Sequence, residues 1–488
     1  MEAAGPGQGQ GLGLSVVSWN LNGIRARGDQ LRSRLLSLGA QIICLQETRV
    51  SRDLLEEGTA ILEGFNSYFS HSRARTGYSG VATYCMDNAI PLTAEEGLSG
   101  LLANQAVPVP HWLAEEFSEQ ELRELDNEGR ALITKHRIRL ADGREEMLAV
   151  INVYCPRADP ESEHRCRFKL RFYQLLQAKA QALLRHGENV LILGDLNTAH
   201  RPIDHCEPGD LEQFCAQPGR LWMDGFVSYA LGEEKEWGGG GGLFVDAFRL
   251  FHPSQRDAYT CWCVNTGARQ TNYGTRIDYI LASHALALGV LRDCILLPEV
   301  QGSDHCPVKA WLRADCLPAD RCPPLCTRYM PEFAGVQQKL SRFLVAQPSH
   351  CPASPEVLPA KVAKPQRQVG RGKRGKGRPI PNGSLLAFFK PVTSCKPSTP
   401  TPSPPLGGEV NSSPGRQKEA PIDFWKGLLK GRPLPPHCSR HQEPCILRTV
   451  KKAGPNQGRD FYACQRPKGA PHNPASRCDF FRWADTSS

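Results

Sequence analysis

The chain has 488 residues, 40% of them hydrophobic and 22% charged, which at roughly 100 to 200 residues per domain allows one large domain plus a satellite and excludes a peptide hormone or a disulfide miniprotein. No uninterrupted apolar run reaches the roughly 18 to 20 residues of a membrane span, which implies a soluble protein with no membrane partner. The net charge of +9 conceals a division: residues 321–488 hold 28 Lys and Arg against 9 Asp and Glu, or +19, leaving 31 against 41, or −10, for residues 1–320, so a polyanion is attracted to the tail and, local patches and bound cations apart, repelled by the body.

Residues 1–13 carry Glu2 and no Lys or Arg, fit neither a secretory nor a transit peptide, and read as a disordered lead-in. Residues 14–315 alternate strand and helix signals. Short apolar runs at 14–19, 41–46, 80–84, 147–154, 189–193, 277–282 and 307–312 suit buried strands, while 30–38 and 161–185 carry helical spacing. This is the pattern of an α/β domain. Between two strand signals, residues 114–130 are rich in Glu and read as a solvated surface helix or insertion. The five glycines at 238–242 read as a flexible loop, because the Lys and Ser/Thr that complete a phosphate cradle do not follow them. After Cys316 the composition changes: 21 of the 39 prolines fall within residues 321–437, and 316–435 read as a disordered, Pro-rich basic linker. Order returns near Pro436, where Cys, His and aromatic residues cluster through Trp483. The 19 cysteines, an odd number without a regular framework, point to a reducing compartment.

Several polar residues stand just past apolar strands: Asn20 and Asn22, Glu47, Asp195 and Asn197, with Asp278, Asp304 and His305 further on. Each alone reads as a turn former or cap, but so many such positions in one domain describe a site. The oxygen-rich set suits a hard cation such as Mg²⁺, which stabilises charge on a phosphoryl oxygen and lowers the pKa of bound water. A carboxylate beside His305 would raise its pKa and favour the cation that a phosphate attracts.

The ordered series Ser18-Trp19-Asn20, Leu45-Gln46-Glu47-Thr48, Gly77-Tyr78-Ser79-Gly80-Val81, Asn152-Val153-Tyr154, Gly194-Asp195-Leu196-Asn197, Arg276-Ile277-Asp278-Tyr279 and Ser303-Asp304-His305 resembles the exonuclease III-type apurinic/apyrimidinic endonucleases of the endonuclease/exonuclease/phosphatase superfamily. The resemblance covers about residues 14–315. It implies a four-layer sandwich, two packed β-sheets flanked by helices, with the site at one edge. It further implies that Glu47 holds Mg²⁺, with Mn²⁺ as an alternative, and that Asn20, Asp195, Asn197, Asp304 and His305 border the metal. Asp195, oriented by Asn197, would position or deprotonate the attacking water. His305, paired with Asp278, would bind the phosphate, and Tyr154 and Asn20 would contact that phosphate or hold the polar network. The implied reaction is in-line hydrolysis of a DNA phosphodiester, leaving a 3′-hydroxyl. Two departures stand out. Asn22 replaces the family's Asp and removes a negative charge from the metal site. Where the family has a Phe-Trp pair this chain has Cys261-Trp262, and Thr275 replaces a Trp before the Arg-x-Asp-Tyr motif. A smaller, less aromatic pocket grips a flipped abasic sugar poorly, so 3′-to-5′ exonuclease and 3′-end trimming are expected to exceed abasic-site incision.

In the tail, residues 367–378 hold Lys373-Arg374 and four other basic residues, a nuclear localisation signal or nucleic-acid patch. The nucleus is the expected location, with cytoplasm and mitochondrion as alternatives. Leu385, Phe388 and Phe389, within residues 382–390, resemble the apolar plug of the peptide box that binds the sliding clamp, proliferating cell nuclear antigen. Cys438, His441, Cys464 and Cys478 supply a complete tetrahedral set for structural zinc, with Cys445, His437 and His472 as spare candidates and Cys445 read as buried filler. Residues 436–485 resemble the GRF zinc finger, although Asp460 interrupts the Gly-Arg-Phe triplet. Arg459, Arg448, Lys451 and Lys452 suit single-stranded DNA, the alternative being a finger that contacts only protein. The expectation is a monomeric DNA repair nuclease acting on double-stranded DNA with 3′ ends or abasic sites. The rivals are a superfamily phosphodiesterase for another phosphate ester and a damage-response scaffold with a vestigial site.

Overall fold

The computed structural model describes residues 13–25, 30–102, 109–158, 161–228, 242–334 and 435–484. The expected lead-in other than Gly13, most of the glycine run, the basic cluster at 367–378 and the clamp box with Leu385, Phe388 and Phe389 lie outside them.

Two sheets form the body. One runs, in spatial order, Leu291–Leu296, Val308–Leu312, Leu14–Asn20, Ile42–Gln46, Val81–Met86 and Phe65–Ser70. The other runs Ala314–Leu317, Ala131–Leu140, Glu145–Tyr154, Asn189–Asp195, Asp278–Ser283, Phe244–Asp246 and Val227–Ser228, with Thr93–Glu96 paired to Ala131–Leu140. Successive residues of a strand point to opposite faces, and here both faces of the central strands are covered. Val16 enters a core between the sheets with Ile42, Val150, Leu193 and Ile280. Its neighbour Val17 faces outward with Leu31 and Leu35 of the helix Leu31–Ser37. On the other side Ile151 and Ile192 pack against Phe172, Leu175 and Leu176 of the helix Glu163–Arg185. Burial on both faces explains why these strands read as continuous apolar runs, and the layers are those of the expected four-layer α/β sandwich. Among the described residues, no helix is long and apolar enough to cross a membrane.

Register brings the polar strand ends together. Leu14–Asn20 and Ile42–Gln46 run parallel with Asn20 opposite Gln46, so Asn20 and Glu47 emerge at the same end. In the second sheet Asp195 pairs with Asp278 on one side and Tyr154 on the other. The sheets are pinned together near this end by Asn152, whose Nδ2 donates to the Ala82 carbonyl at 2.9 Å and whose Oδ1 accepts from Gln46 Nε2 at 2.8 Å.

Two expectations are revised. Within 114–130 the helix Glu119–Asp126, capped by Ser118, is not merely solvated: Leu122 and Leu125 are buried against the long helix. The packed body also continues past residue 315 to Ala334. Its strand Ala314–Leu317 pairs with Ala131–Leu140, Cys322 and Cys326 join the core, and the Thr327 hydroxyl meets that of Ser67 at 2.7 Å. Prolines and charged residues surround these anchors, which is why the composition reads as linker. The tail module is a three-stranded meander, Ile446–Thr449, Asp460–Ala463 and Phe481–Trp483.

Asn152→Ala leaves buried carbonyl and amide groups without partners, a loss of about 2–3 kcal/mol. Urea unfolding of the body is expected to show a lowered midpoint.

Candidate active site

The two sheets deliver their polar ends to one point. The Asn20 amide is fully buried, and its Nδ2 donates to Glu47 Oε1 at 3.0 Å and to Asp195 Oδ2 at 2.9 Å. One neutral group therefore holds two carboxylates from different sheets. Glu47 turns off its strand in the left-handed region, φ 51°, and Arg49, two residues on, pairs with its other oxygen, Arg49 Nε lying 2.8 Å away. Burial works against ionisation of Glu47, but Asn20, Arg49 and Tyr154 hold its carboxyl below the usual range. Asp195 accepts the Asn197 backbone N–H at 2.8 Å, and Asn197 is itself fixed by Nδ2 donation to the Cys155 carbonyl at 2.9 Å. Burial pushes the Asp195 carboxyl up, as do the nearby Asp278 and Glu47 charges, against the lowering influence of His305.

Across the site, His305 Nδ1 meets Asp278 Oδ2 at 2.8 Å, and Thr260 Oγ1 donates to the same oxygen at 2.6 Å. Burial disfavours the imidazolium, but Asp278 outweighs it and lifts the His305 pKa well above its ordinary value. A protonated His305 suits an anionic phosphate better than it suits a metal ion, because protonation removes the lone pair a metal needs. Tyr154 lies beside Glu47 and Asp195, with the Arg130 guanidinium 4.7 Å from its ring centre. Burial and these two carboxylates keep its phenol protonated. Asp304 stands on the rim and accepts from Asn22 Nδ2 at 2.9 Å. The Asn22 departure is thereby explained locally: a carboxylate there would face Asp304, whereas the amide donates to it, and Asn tolerates the φ of 52° at this position.

All the expected catalytic residues, Tyr154, Asp195, Asn197, Asp278 and His305, converge here, as do Asn20, Glu47 and Asp304. Ligating atoms of Asp195, Asp278 and His305 lie within 4.8 Å of one another, and Asp278 Oδ1 is buried without a hydrogen-bond partner. The Glu47 and Asp195 carboxylates flank Asn20, and hard oxygen donors of this kind fit Mg²⁺ or Mn²⁺. The substituted pocket positions also meet: Cys261 pairs directly with Thr275 across a two-residue ribbon, and the Cys261 thiol stands beside His305. The two positions where the family's aromatic residues are replaced thus stand side by side.

Several contributors carried no sequence signal. Arg49 and Thr260 are single polar residues in loops. Lys169 lies on the long helix, where its Nζ donates to the Asn197 carbonyl and to Thr198 Oγ1, each at 2.7 Å, and burial pushes its amine down to about 8. Asp204 is wholly buried between Arg276 and Arg249, with Arg276 Nε 2.9 Å from its carboxylate. Although burial opposes it, the two guanidinium groups hold this carboxyl far below the usual range. Arg276 of the Arg-x-Asp-Tyr motif is therefore a buried anchor that seats Asp278 two residues later.

In the tail module, donor atoms of Cys438, His441, Cys464 and Cys478 lie within 4.8 Å of one another. His441 Nδ1 stands 3.5 Å from both the Cys438 and Cys464 sulfurs. This donor set fits zinc. Cys445 is buried beside them without joining them, its thiol pushed up to about 11 by burial. Arg459 stacks 3.9 Å over Trp483, next to Phe461 and the 53%-exposed Phe481. Lys451 and Lys452 are exposed and Arg448 half-buried.

Comparison with known proteins agrees with this geometry. Residues 17–305 match the endonuclease/exonuclease/phosphatase family and residues 436–487 the GRF zinc finger. The chain belongs to the endonuclease/exonuclease/phosphatase family. Its full-length relatives include the DNA-(apurinic or apyrimidinic site) endonuclease 2 of Xenopus laevis, 48% identical over 96% of this chain and 98% of that protein. The protein of the same name from Homo sapiens is 46% identical over 97% of this chain and 100% of the relative. Among solved structures, the Xenopus laevis APE2 catalytic domain is 55% identical, with a TM-score of 0.62 over 67% of this chain and 100% of that chain.

Asp204→Asn removes the carboxylate paired with buried Arg249 and one of the two on Arg276, which keeps Asp246 at 2.7 Å, and is expected to cost about 3–5 kcal/mol at neutral pH. Because the folded carboxyl titrates below its unfolded value of about 3.9, this stabilisation is present above that pH and is lost as pH falls towards the depressed folded value. Thermal unfolding of wild type and variant across acid pH is expected to show the two converging at low pH.

Proposed function

We propose that this DNA repair nuclease hydrolyses phosphodiesters at 3′ ends with Mg²⁺ or Mn²⁺, as a 3′-to-5′ exonuclease and 3′-phosphodiesterase with weaker incision at abasic sites. The observation that carries the proposal is the pairing of two unlike groups across one small site. A raised-pKa Asp195 carboxylate lies on one side and an imidazolium His305, held by Asp278, on the other.

A phosphate seated between them is held by the His305 cation. The Asp195 carboxylate, aimed by Asn20 and Asn197, faces the side from which water attacks and accepts its proton. Tyr154, kept neutral, donates its hydroxyl to a phosphoryl oxygen. Glu47, with Asp195 and Asp304 alongside, would hold a Mg²⁺ or Mn²⁺ ion, which when bound would supply Lewis-acid stabilisation of charge on the phosphoryl group. The water oxygen bonds to phosphorus in line as the bond to the 3′ ester oxygen breaks, and that oxygen takes up a proton from solvent, which gives a 3′-hydroxyl and a 5′-phosphate.

The ranking of substrates rests on Cys261 and Thr275 standing side by side, because side chains smaller than aromatic rings would offer less apolar area to an extruded sugar. The finger supports contact with single-stranded DNA through Arg459 and its aromatic neighbours. The spacing of Leu385, Phe388 and Phe389 supports clamp binding, and the basic residues within 367–378 support a nuclear location.

Asp195→Asn is expected to lower the rate of 3′-end removal by at least about 10³-fold, measured with labelled duplex and Mg²⁺. Wild-type rates in the variant would defeat the assignment. On matched duplexes, removal at a recessed 3′ end is expected to be faster than cleavage at an internal abasic site, and the reverse order would remove the pocket argument.

A further inference from the structure

The zinc module and the catalytic body belong to one compact unit, and the contact between them falls on the loop that joins the paired strands Cys261–Trp262 and Gly274–Thr275 beside His305. On the finger side it uses Pro467, Lys468 and Gly469, in the loop between zinc-ligand positions Cys464 and Cys478. The Lys468 N–H donates to the Thr266 carbonyl at 2.9 Å, and the Thr271 hydroxyl donates to the Lys468 carbonyl. The Lys468 ammonium lies 3.6 Å from Glu207 and 5.0 Å from the centre of the Tyr273 ring, and the Tyr273 hydroxyl itself donates to Glu207. Each surface offers a glycine to the other, Gly267 against Pro467 and Gly469 against Thr271. A Cβ on Gly267 would stand 3.3 Å from Pro467 Cβ, and one on Gly469 would stand 2.9 Å from Thr271 Cβ. One backbone bond and one side-chain bond satisfy both main-chain polar groups of Lys468, and a glycine on each side admits the close approach of Pro467 or Thr271, which describes a fitted joint, since a chance surface contact seldom satisfies both polar groups of one residue.

Each side of the joint is braced. In the finger, Arg466 pairs with Glu443 and donates to the Pro474 carbonyl at 2.5 Å, and the Arg477 N–H closes onto the Pro467 carbonyl at 2.8 Å. In the body, Arg269 lies 4.6 Å over Trp262 and donates to the Ser303 carbonyl at 2.8 Å. The Trp262 N–H donates to the Asp304 carbonyl at 2.9 Å, and Cys261 bridges to His305. From Lys468 the path to the phosphate-binding imidazole thus runs through one short loop. The Arg459–Trp483 patch takes no part in it, and Phe481 stays exposed.

We infer that the zinc finger docks on the 264–273 loop through Pro467–Lys468–Gly469 and fixes the paired strands Cys261–Trp262 and Gly274–Thr275 beside His305. Lys468 is a positioning residue, and the finger acts on turnover as well as on DNA capture, its cationic and aromatic patch left free for a single strand. The effect on turnover rests on the site being a DNA nuclease; the docking does not.

The test uses the zinc-loaded full chain and two variants. Lys468→Glu places like charges at the joint without touching the loop, and Thr271→Arg puts bulk against Gly469. Hydrogen exchange of the 264–273 amides reads docking directly, and turnover at saturating recessed-end duplex reads positioning. Expected for each variant, with zinc content unchanged, is about tenfold faster exchange and about tenfold lower kcat. The charge swap Lys468→Glu/Glu207→Lys is expected to restore both. Exchange unchanged in both variants would overturn the docking. Faster exchange with wild-type kcat and only a raised half-saturating DNA concentration would reduce the finger to a tether and overturn the positioning role. Absence of nuclease activity in the wild type would instead count against the proposed function, with exchange still deciding the docking.

Discussion

The Asn20 amide is the group on which the site depends. Two sheets each end in a carboxylate, Glu47 from one and Asp195 from the other, and two such charges in a partly dry cleft repel strongly. Asn20 occupies the space between them and gives one N–H to each, while its carbonyl oxygen accepts from the Asn22 N–H at 3.0 Å. It adds no charge. A carboxylate there would raise the repulsion, and an apolar residue would leave both acids unsatisfied. With that spacing set, Arg49 on the Glu47 side and His305 on the Asp195 side balance the remaining charge.

Much of this was legible in the sequence because the fold puts chemistry at strand ends. The apolar runs ending at Trp19, Gln46, Tyr154 and Leu193 became central strands, and the polar residues just past them became the site. The strands with weaker signals failed for physical reasons. Ala131–Leu140 exposes Arg137 and Arg139 in alternation with buried His136, Ile138 and Leu140, and Phe65–Ser70 carries Asn66, Ser67 and Ser70 into a buried edge. Both read as polar. The segment beyond Cys316 reads as linker because a few anchors, Cys322, Cys326 and Thr327, do its packing among prolines.

Motif residues also divided into kinds that a sequence does not separate. Asn152 and Gln46, inside two of the most recognisable motifs, bind each other and pin the sheets. Arg276 serves Asp204 at the base of the site, although a motif arginine invites a role with phosphate. Asn22 looked like a loss and is a compensated exchange, because its amide donates to Asp304. The zinc donors were the clearest case in the other direction: four residues spread over 41 positions, Cys438 to Cys478, gather at one point, and Cys445 beside them stays out.

The proposed chemistry requires a metal ion held at Glu47 and a phosphate lying between Asp195 and His305. A crystal of the full chain grown with Mn²⁺ and a duplex bearing a recessed 3′ end locates both directly, because manganese scatters anomalously. Expected is a manganese peak in coordination contact with the Glu47 carboxylate, and the 3′-terminal phosphodiester within hydrogen-bond reach of His305. A peak confined to other acidic residues, or a DNA end bound away from His305, would contradict it.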